Sequence, residues 1–230
     1  MDLLTPLQRR LLEEIGRSPL QDKFFLTGGT ALAALYLHHR YSVDLDLFTE
    51  DPAAIPHVVP TMQEIASRLG LEITFTRTLG TFLEAFVSSA DAERVEFDFA
   101  LDSPYRLEPV RRHPELQIDV DNPTDIACNK LSALFDRAEP KDYVDVYFIV
   151  QELMPFERLV ALARQKHIGM DDYWLALALA QVETVSILPR MVKPLSVSEL
   201  KAFFLARAKE VMDRGGPALD PDGQDLRSGV

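Results

Sequence analysis

Residues 24–48 read FFLTGGTALAALYLHHRYSVDLDLF. A β-type run, KFFLT (23–27), gives way at two glycines and a threonine to a helical run, TALAALYLHHR (30–40). A second β-type run, SVDLDLF (42–48), follows. On it Val43, Leu45 and Leu47 face one way and Asp44 and Asp46 the other, because successive strand side chains alternate. Two aspartates so spaced project from one face with Cα atoms about 7 Å apart. Leu45, Leu47 and Phe48 suit a strand inside a sheet, where paired anions cost free energy unless a cation offsets them. A divalent ion such as Mg²⁺ takes carboxylate oxygens and leaves places for water and phosphate. The plainer alternative is a solvated sheet edge after an ordinary turn.

The turn repeats that choice. Gly28 and Gly29 allow positive φ and close backbone approach. Thr30 stands at a helix N-terminus, where free N–H groups and the dipole favour an anion. Taken alone, TGGT is a strand–helix turn with a threonine cap. The order strand, GGT, helix, strand with DxD sets an anion-binding helix end beside a cation-binding strand. A third acid is expected from a neighbouring strand, RVEFDFA (94–100). There Val95, Phe97 and Phe99 face the core, and Asp98, with Glu96 as its alternative, lies opposite. Such an acid accepts a proton from an attacking hydroxyl or binds a metal.

Around this centre the chain reads as two halves. A helix over 5–16 buries Leu7, Leu11, Leu12 and Ile15 and stops at Gly16. TMQEIASRLG (61–70) is a helix closed by Gly70, and LEITFTRT, TFLEAFVS and RVEFDFAL are consecutive antiparallel strands. ELQIDV (115–120) is a further short strand. After Asp121 the texture becomes helical: DNPTDIACNKLSALFDR with Thr124 as N-cap, then four more helices, the last opened by a Ser196–Glu199 capping box. The expected class is α+β with a mixed or antiparallel sheet, divided into residues 1–120, a helical domain over 121–214 and a flexible tail over 215–230.

The second half brings cations. Ile126, Lys130 and Leu134 recur every four residues, which sets Lys130 on or beside an apolar stripe, with Ala133 and Arg137 continuing that side. Lys130 either snorkels to water or meets an anion as a point charge, with Arg137 as a fork. Asp142 and Asp145, one turn apart on an apolar helix, either orient those cations or start the helix with favourable charge.

Composition is that of a globular protein, 47% hydrophobic and 26% charged in 230 residues. Net charge is −12, with 19 acids against 11 bases in residues 1–120. That balance argues against indiscriminate nucleic-acid binding and suits a cation site. Residues 190–214 hold six bases and three acids, an expected RNA-contacting face. No apolar run spans a membrane, the N-terminus reads as an amphipathic helix rather than a signal peptide, and the single Cys128 fits a reducing cytoplasm. Cys128 reads as a small buried hydrophobe, His38 and His39 as helix-end residues, and Trp174 as helical core.

The ordered set GGT, R-x-S-x-D-x-D, strand acid, D-x4-K-x6-R-x3-KD-x2-D resembles the AbiEii/AbiGii-type toxin nucleotidyltransferases of the polymerase-β-like superfamily. It is carried by Gly28, Gly29, Thr30, Arg40, Ser42, Asp44, Asp46, Asp98, Asp125, Lys130, Arg137, Lys141, Asp142 and Asp145. The resemblance implies a small sheet flanked by helices, a helical domain, and an active site between them. It implies transfer of a nucleoside monophosphate from an NTP, with Mg²⁺ (or Mn²⁺), to an RNA such as a tRNA 3′ end, and a separate antitoxin protein. On it Asp44, Asp46 and Asp98 bind metal and catalyse; Gly28, Gly29, Thr30, Ser42, Lys130 and Arg137 hold phosphates; Arg40, Lys141, Asp142 and Asp145 support them. The rivals are a nucleotide-sugar glycosyltransferase, nucleotidyl transfer to a small molecule, and an inactive interaction module. The first needs neither GGT nor Asp98.

Overall fold

The computed structural model describes residues 3–215; the tail expected beyond Gly215 lies outside the described residues. Helix α1 (Pro6–Ile15) starts with a capping box, in which the Thr5 hydroxyl accepts from the Gln8 N–H and the Gln8 side chain answers to Thr5. β1 (Phe25–Thr27) turns at Gly28 into α2 (Gly28–Ala31), which widens into a π-helical segment, Leu32–Leu37. His38 closes it in the left-handed conformation. The expected single helix therefore begins as an α-helix and is underwound over the rest of its length. β2 (Asp44–Thr49), a 3₁₀ turn (Pro52–His57) and α3 (Val58–Leu69) follow, and Gly70 caps α3 in the left-handed region.

β3 (Glu72–Leu79), β4 (Phe82–Ser88) and β5 (Arg94–Leu101) form the expected antiparallel meander, joined by β6 (Arg111–Arg112) and β7 (Asp119–Val120). The seven strands run in the order β3-β4-β5-β2-β1-β7-β6. β2 lies parallel to β5 and β1 parallel to β7, while the other pairs are antiparallel. This mixed α+β architecture agrees with the class read from the sequence. One sheet face, carrying Leu26, Leu45, Leu47, Leu83, Ala85, Val87, Val95, Phe97 and Phe99, is wholly buried against α1 and α3. Each such large side chain contributes about 1.5–3 kcal/mol by leaving water. Val43, expected on that face, is instead 62% exposed. The strand begins only at Asp44, and the preceding backbone is held by Gln8, whose amide donates to the Ser42 and Val43 carbonyls.

The helical half comprises α4 (Pro123–Arg137), α5 (Pro140–Glu152), α6 (Phe156–Lys166), α7 (Asp172–Ala180) and α8 (Val197–Gly215). The Ser196–Glu199 capping box is present at α8. Helix α4 is capped by Asn122, not Thr124, because Pro123 takes the first helical position. Thr124 donates to Glu108 instead. Trp174 is 58% exposed rather than core. Helix α7 is apolar all round, so its sequence marks no inner face. Packing selects Leu175, Ala176, Ala178 and Leu179 for burial. Cys128 is fully buried and burial pushes its thiol up to about 12, as expected of a core hydrophobe. Among the described residues no helix is long and apolar enough to cross a membrane.

Asn122 accepts from the Asp125 N–H and donates to the Glu108 carbonyl and Asp125. Asn122→Ala is expected to cost about 2 kcal/mol in urea unfolding, from cap and buried hydrogen bonds together. Thr124→Ala should cost less than about 1 kcal/mol.

Candidate active site

The sheet's other face carries the acids. Thr27 pairs with Asp46 and Asp46 with Asp98, while Asp44 pairs with Glu96. The parallel β2–β5 register thus sets Asp46 beside Asp98. Asp98 pairs in turn with Glu84 of β4, which sequence reasoning missed. Only the cross-strand register reveals Glu84, because TFLEAFVS by itself shows a lone acid in an alternating strand.

A cleft of about 320 Å³ opens over β1 and β2. It collects Asp44, Asp46 and Asp98 from the sheet, Gly28 and Gly29 from the turn, and Arg40 and Ser42 from the segment before β2. From the helices come Lys130, Arg137 and Lys141, together with Asn129, which sequence reasoning passed over. Thr30 is not among the lining residues. It is buried, and its hydroxyl donates to the Asp44 carbonyl, tying the helix start to the strand. Asp142 and Asp145 stand behind the cations, fully buried.

The turn needs its glycines. Gly28 has φ +69°, and a β-carbon there would collide with the Asp46 carboxylate. A β-carbon on Gly29 would lie 2.7 Å from Arg40 Nη2, 3.0 Å from Ser42 Oγ and 3.5 Å from Lys130 Nζ. The Gly29 N–H donates to the Asp46 carboxylate.

Behind the cleft, Asp145 gathers four contacts. Arg40 donates from Nε at 2.6 Å and Nη2 at 2.9 Å, Lys130 Nζ lies at 2.8 Å, and His39 Nε2 at 2.8 Å. Burial alone would raise this carboxyl, but Lys130, Arg40 and His39 outweigh it and hold it well below the ordinary 3.8. Asp142 receives Arg137 as a fork at 2.7 and 2.8 Å. His39 is therefore no mere helix end: it is wholly buried, and burial lowers its pKa against the pull of Asp145. Asp125 lies away from the cleft, where it binds the Leu107 and Glu108 N–H groups and Lys166.

The acids facing the cleft lack such partners. Burial pushes Asp46 up, Lys130 opposes this, and Asp44 adds to it. Asp98 is raised from 3.8 to about 6 by burial and then by Asp46, Glu96 and Glu84. Its Oδ1 is buried with no hydrogen-bond partner. Among the described residues, Glu84, Glu96 and Asp98 bring their ligand atoms within 4.8 Å of one another. That trio, rather than Asp44 with Asp46 and Asp98, is the tightest acidic grouping, and Asp98 belongs to both. Uncompensated carboxylates and an orphan oxygen fit a divalent cation with oxygen ligands.

The basic face expected over 190–214 is largely engaged within the protein. Lys193 pairs with Glu152, Arg207 with Glu210 and Arg214 with Glu157, and Lys201 donates to the Glu183 carbonyl.

Removing Asp145 leaves two buried cations without compensation, so Asp145→Ala should destabilise the fold by about 3–5 kcal/mol in denaturant titration. A carboxyl raised from 3.8 to about 6 weakens the fold as pH climbs through that interval. In EDTA, Asp98→Asn is therefore expected to raise the melting temperature above about pH 6 and to give no gain below about pH 4.

The likeness to known proteins follows this geometry. An uncharacterised protein of Aquifex aeolicus (strain VF5), aq_aa25, is 26% identical over 211 residues, covering 90% of this chain and 96% of that one. JHP933 of Helicobacter pylori superposes with a TM-score of 0.56 at 19% identity, covering 90% of each chain. MenT4, a nucleotidyltransferase toxin of Mycobacterium tuberculosis H37Rv, gives 0.55 at 16% identity, covering 94% of this chain and 83% of that one. Both structures share the fold. The family model described as nucleotidyl transferase AbiEii toxin, type IV toxin–antitoxin system, matches residues 10–214. The chain belongs to that family of nucleotidyltransferase toxins.

Proposed function

We propose that this protein transfers a nucleoside monophosphate from an NTP to an acceptor hydroxyl, with RNA as the acceptor and a divalent cation as cofactor. The observation that carries this reading is the gathering of Asp46 and Asp98, the Gly28–Gly29 turn and Lys130 around one cleft. In it, residues 1–120 supply the acids and the turn, and residues 121–214 supply the cations as a second unit. Asp44, Asp46 and Asp98 hold Mg²⁺ (or Mn²⁺), with Glu84 and Glu96 close to Asp98. When bound, the cation neutralises phosphate charge and polarises the phosphoryl oxygens.

The chain's own groups do the positioning. Gly28, Gly29 and Ser42 admit the phosphates close to the backbone, Lys130 meets them as a point charge, and Arg137 presents a planar guanidinium. Asp142 and Asp145 fix those cations from behind, Arg40 shares Asp145 with Lys130, and Lys141 adds charge at the rim. Thr30 serves by anchoring Asp44 rather than by touching phosphate. The acceptor oxygen forms a bond to the α-phosphorus as the bridging oxygen–phosphorus bond breaks, and pyrophosphate leaves with that electron pair. The hydroxyl proton passes to the Asp98 carboxylate, which lines the cleft beside Asp46. Catalysis rests on orientation and charge stabilisation. Membership of a toxin–antitoxin family supports a separately encoded antitoxin as partner, and a cytoplasmic site of action accords with an RNA target.

The test is incubation with each α-³²P NTP, Mg²⁺ and total RNA. Wild type is expected to label RNA, EDTA to abolish labelling, and Asp46→Ala to leave none. Lys130→Ala should lower the rate about 10²-fold or more, as loss of one charge-stabilising donor does. Label on small metabolites alone would replace RNA by a small acceptor. Absence of Mg²⁺-dependent NTP binding in thermal-shift assays would leave an inert interaction module.

A further inference from the structure

We infer that the open face of β4 and β5 beyond Asp98 is the platform for the acceptor, a single-stranded RNA end stacked on Phe82 and Phe86 and held at its phosphates by Arg77 and Arg94. The inference rests on the nucleotidyl-transfer reading above and names where its acceptor lies.

The register sets out the path. Thr27, Asp46, Asp98, Glu84 and Arg77 form one row across β1, β2, β5, β4 and β3. With strands about 4.8 Å apart, that row spans about 19 Å. Gly28, Gly29, Lys130 and Arg137 lie toward its β1 end, so a departing pyrophosphate lies there too. In phosphoryl transfer the attacking and leaving oxygens are roughly in line. The acceptor hydroxyl must then approach from the opposite side, over Asp98 and β4.

That side is open and built for bases. Leu83, Ala85 and Val87 of β4 are buried on the back of the sheet, whereas Phe82, Glu84 and Phe86 keep exposed surface on the front. Phe82 and Phe86 flank the row, four residues apart, or about 13 Å along the strand. The Arg94 guanidinium lies over the Phe86 ring, 3.7 Å from its centre, and that of Arg77 over the Phe82 ring at 5.2 Å, so a base stacks on the guanidinium plane or on the ring once the arginine turns to a phosphate. Both arginines are exposed, and neither has a salt-bridge partner among the described residues. Half-buried aromatic rings with adjoining arginines are the elements that stack single-stranded bases and hold their backbone without regard to sequence. Glu84, between the rings on β4, and Glu96, opposite Phe86 on β5, repel phosphates from the centre of the face and leave them to the arginines at its margins. An acidic or purely apolar protein segment would match only one part of this pattern. The α8 bases, the other RNA-facing candidates, are mostly paired with groups of the same chain.

The test uses the full chain and a 5′-fluorescein single-stranded oligoribonucleotide with a free 3′ hydroxyl, followed by anisotropy and by label transfer. Phe82→Ala with Phe86→Ala is expected to weaken oligonucleotide binding at least about tenfold, in line with the stacking lost per base. KM for RNA should rise by a similar factor, while Mg²⁺-dependent NTP binding stays unchanged. Phe86→Tyr should retain binding. Arg77→Gln with Arg94→Gln, which leaves the rings in place, should weaken binding and flatten its salt dependence. Wild type that labels RNA while all these variants keep its RNA affinity and KM would overturn the platform and leave the transfer reading standing. Wild type that binds no oligonucleotide would overturn the platform outright. So would label on a protein or small metabolite whose transfer falls in the same variants. Loss of NTP binding in wild type itself would strike the transfer reading, and the anisotropy comparison would still judge the face.

Discussion

One buried carboxylate, Asp145, ties the sheet half to the helical half. It sits in α5, yet its partners come from the segment after the π-helical turn and from α4. An ionised group in the interior is tolerated only when its charge and lone pairs are met. Asp145 is met by a bidentate arginine, a lysine and a histidine, so three chain segments must arrive together for any of them to be stable. Lys130, 7% exposed, is thereby held at the cleft, and Arg40 is brought beside Gly29. A backbone strap completes the clamp: the Val192 and Lys193 N–H groups donate to the His39 carbonyl, and the Tyr41 N–H donates to Arg190.

The two faces of the sheet meet opposite demands. The back is closed by α1 and α3 and carries the apolar burial that offsets ordering the chain. The front accumulates Asp44, Asp46, Glu84, Glu96 and Asp98 with few internal partners. Such a surface opposes folding while it stands uncompensated, and the pressure on Asp98 is its local expression. The contrast with Asp145 is instructive, since the same side chain is driven in opposite directions by whether cations are built in or left to be supplied. Stability is thus concentrated at the back and in the Asp145 network, leaving the front free to bind.

Much of this was legible in the residues. Strict alternation in SVDLDLF and RVEFDFAL assigned Leu45, Leu47, Phe97 and Phe99 to the core and the aspartates to the other face. Period-four spacing put Lys130 beside an apolar stripe, and Gly70 and the Ser196–Glu199 pair marked helix ends. The misreadings share one cause, which is that local pattern carries no information about neighbours. Thr124 and Asn122 are both competent caps until Pro123 and the Glu108 carbonyl choose between them. Trp174 lies on a helix apolar on every side, and Val43 continues an alternation after the sheet has ended.

By itself, therefore, the sequence determined which residues bear charge on strands, where the chain can turn through Gly28, and that a sheet half precedes a helical half. Those are consequences of side-chain alternation, helical period and backbone sterics, all local. Only the tertiary structure decided that Asp46 stands beside Asp98 and Glu84, that His39 joins Asp145, that Thr30 faces inward, and that the α8 bases are engaged. Each of these depends on strand register or on packing between segments far apart in the chain, where burial and pairing energies act and no local pattern reaches.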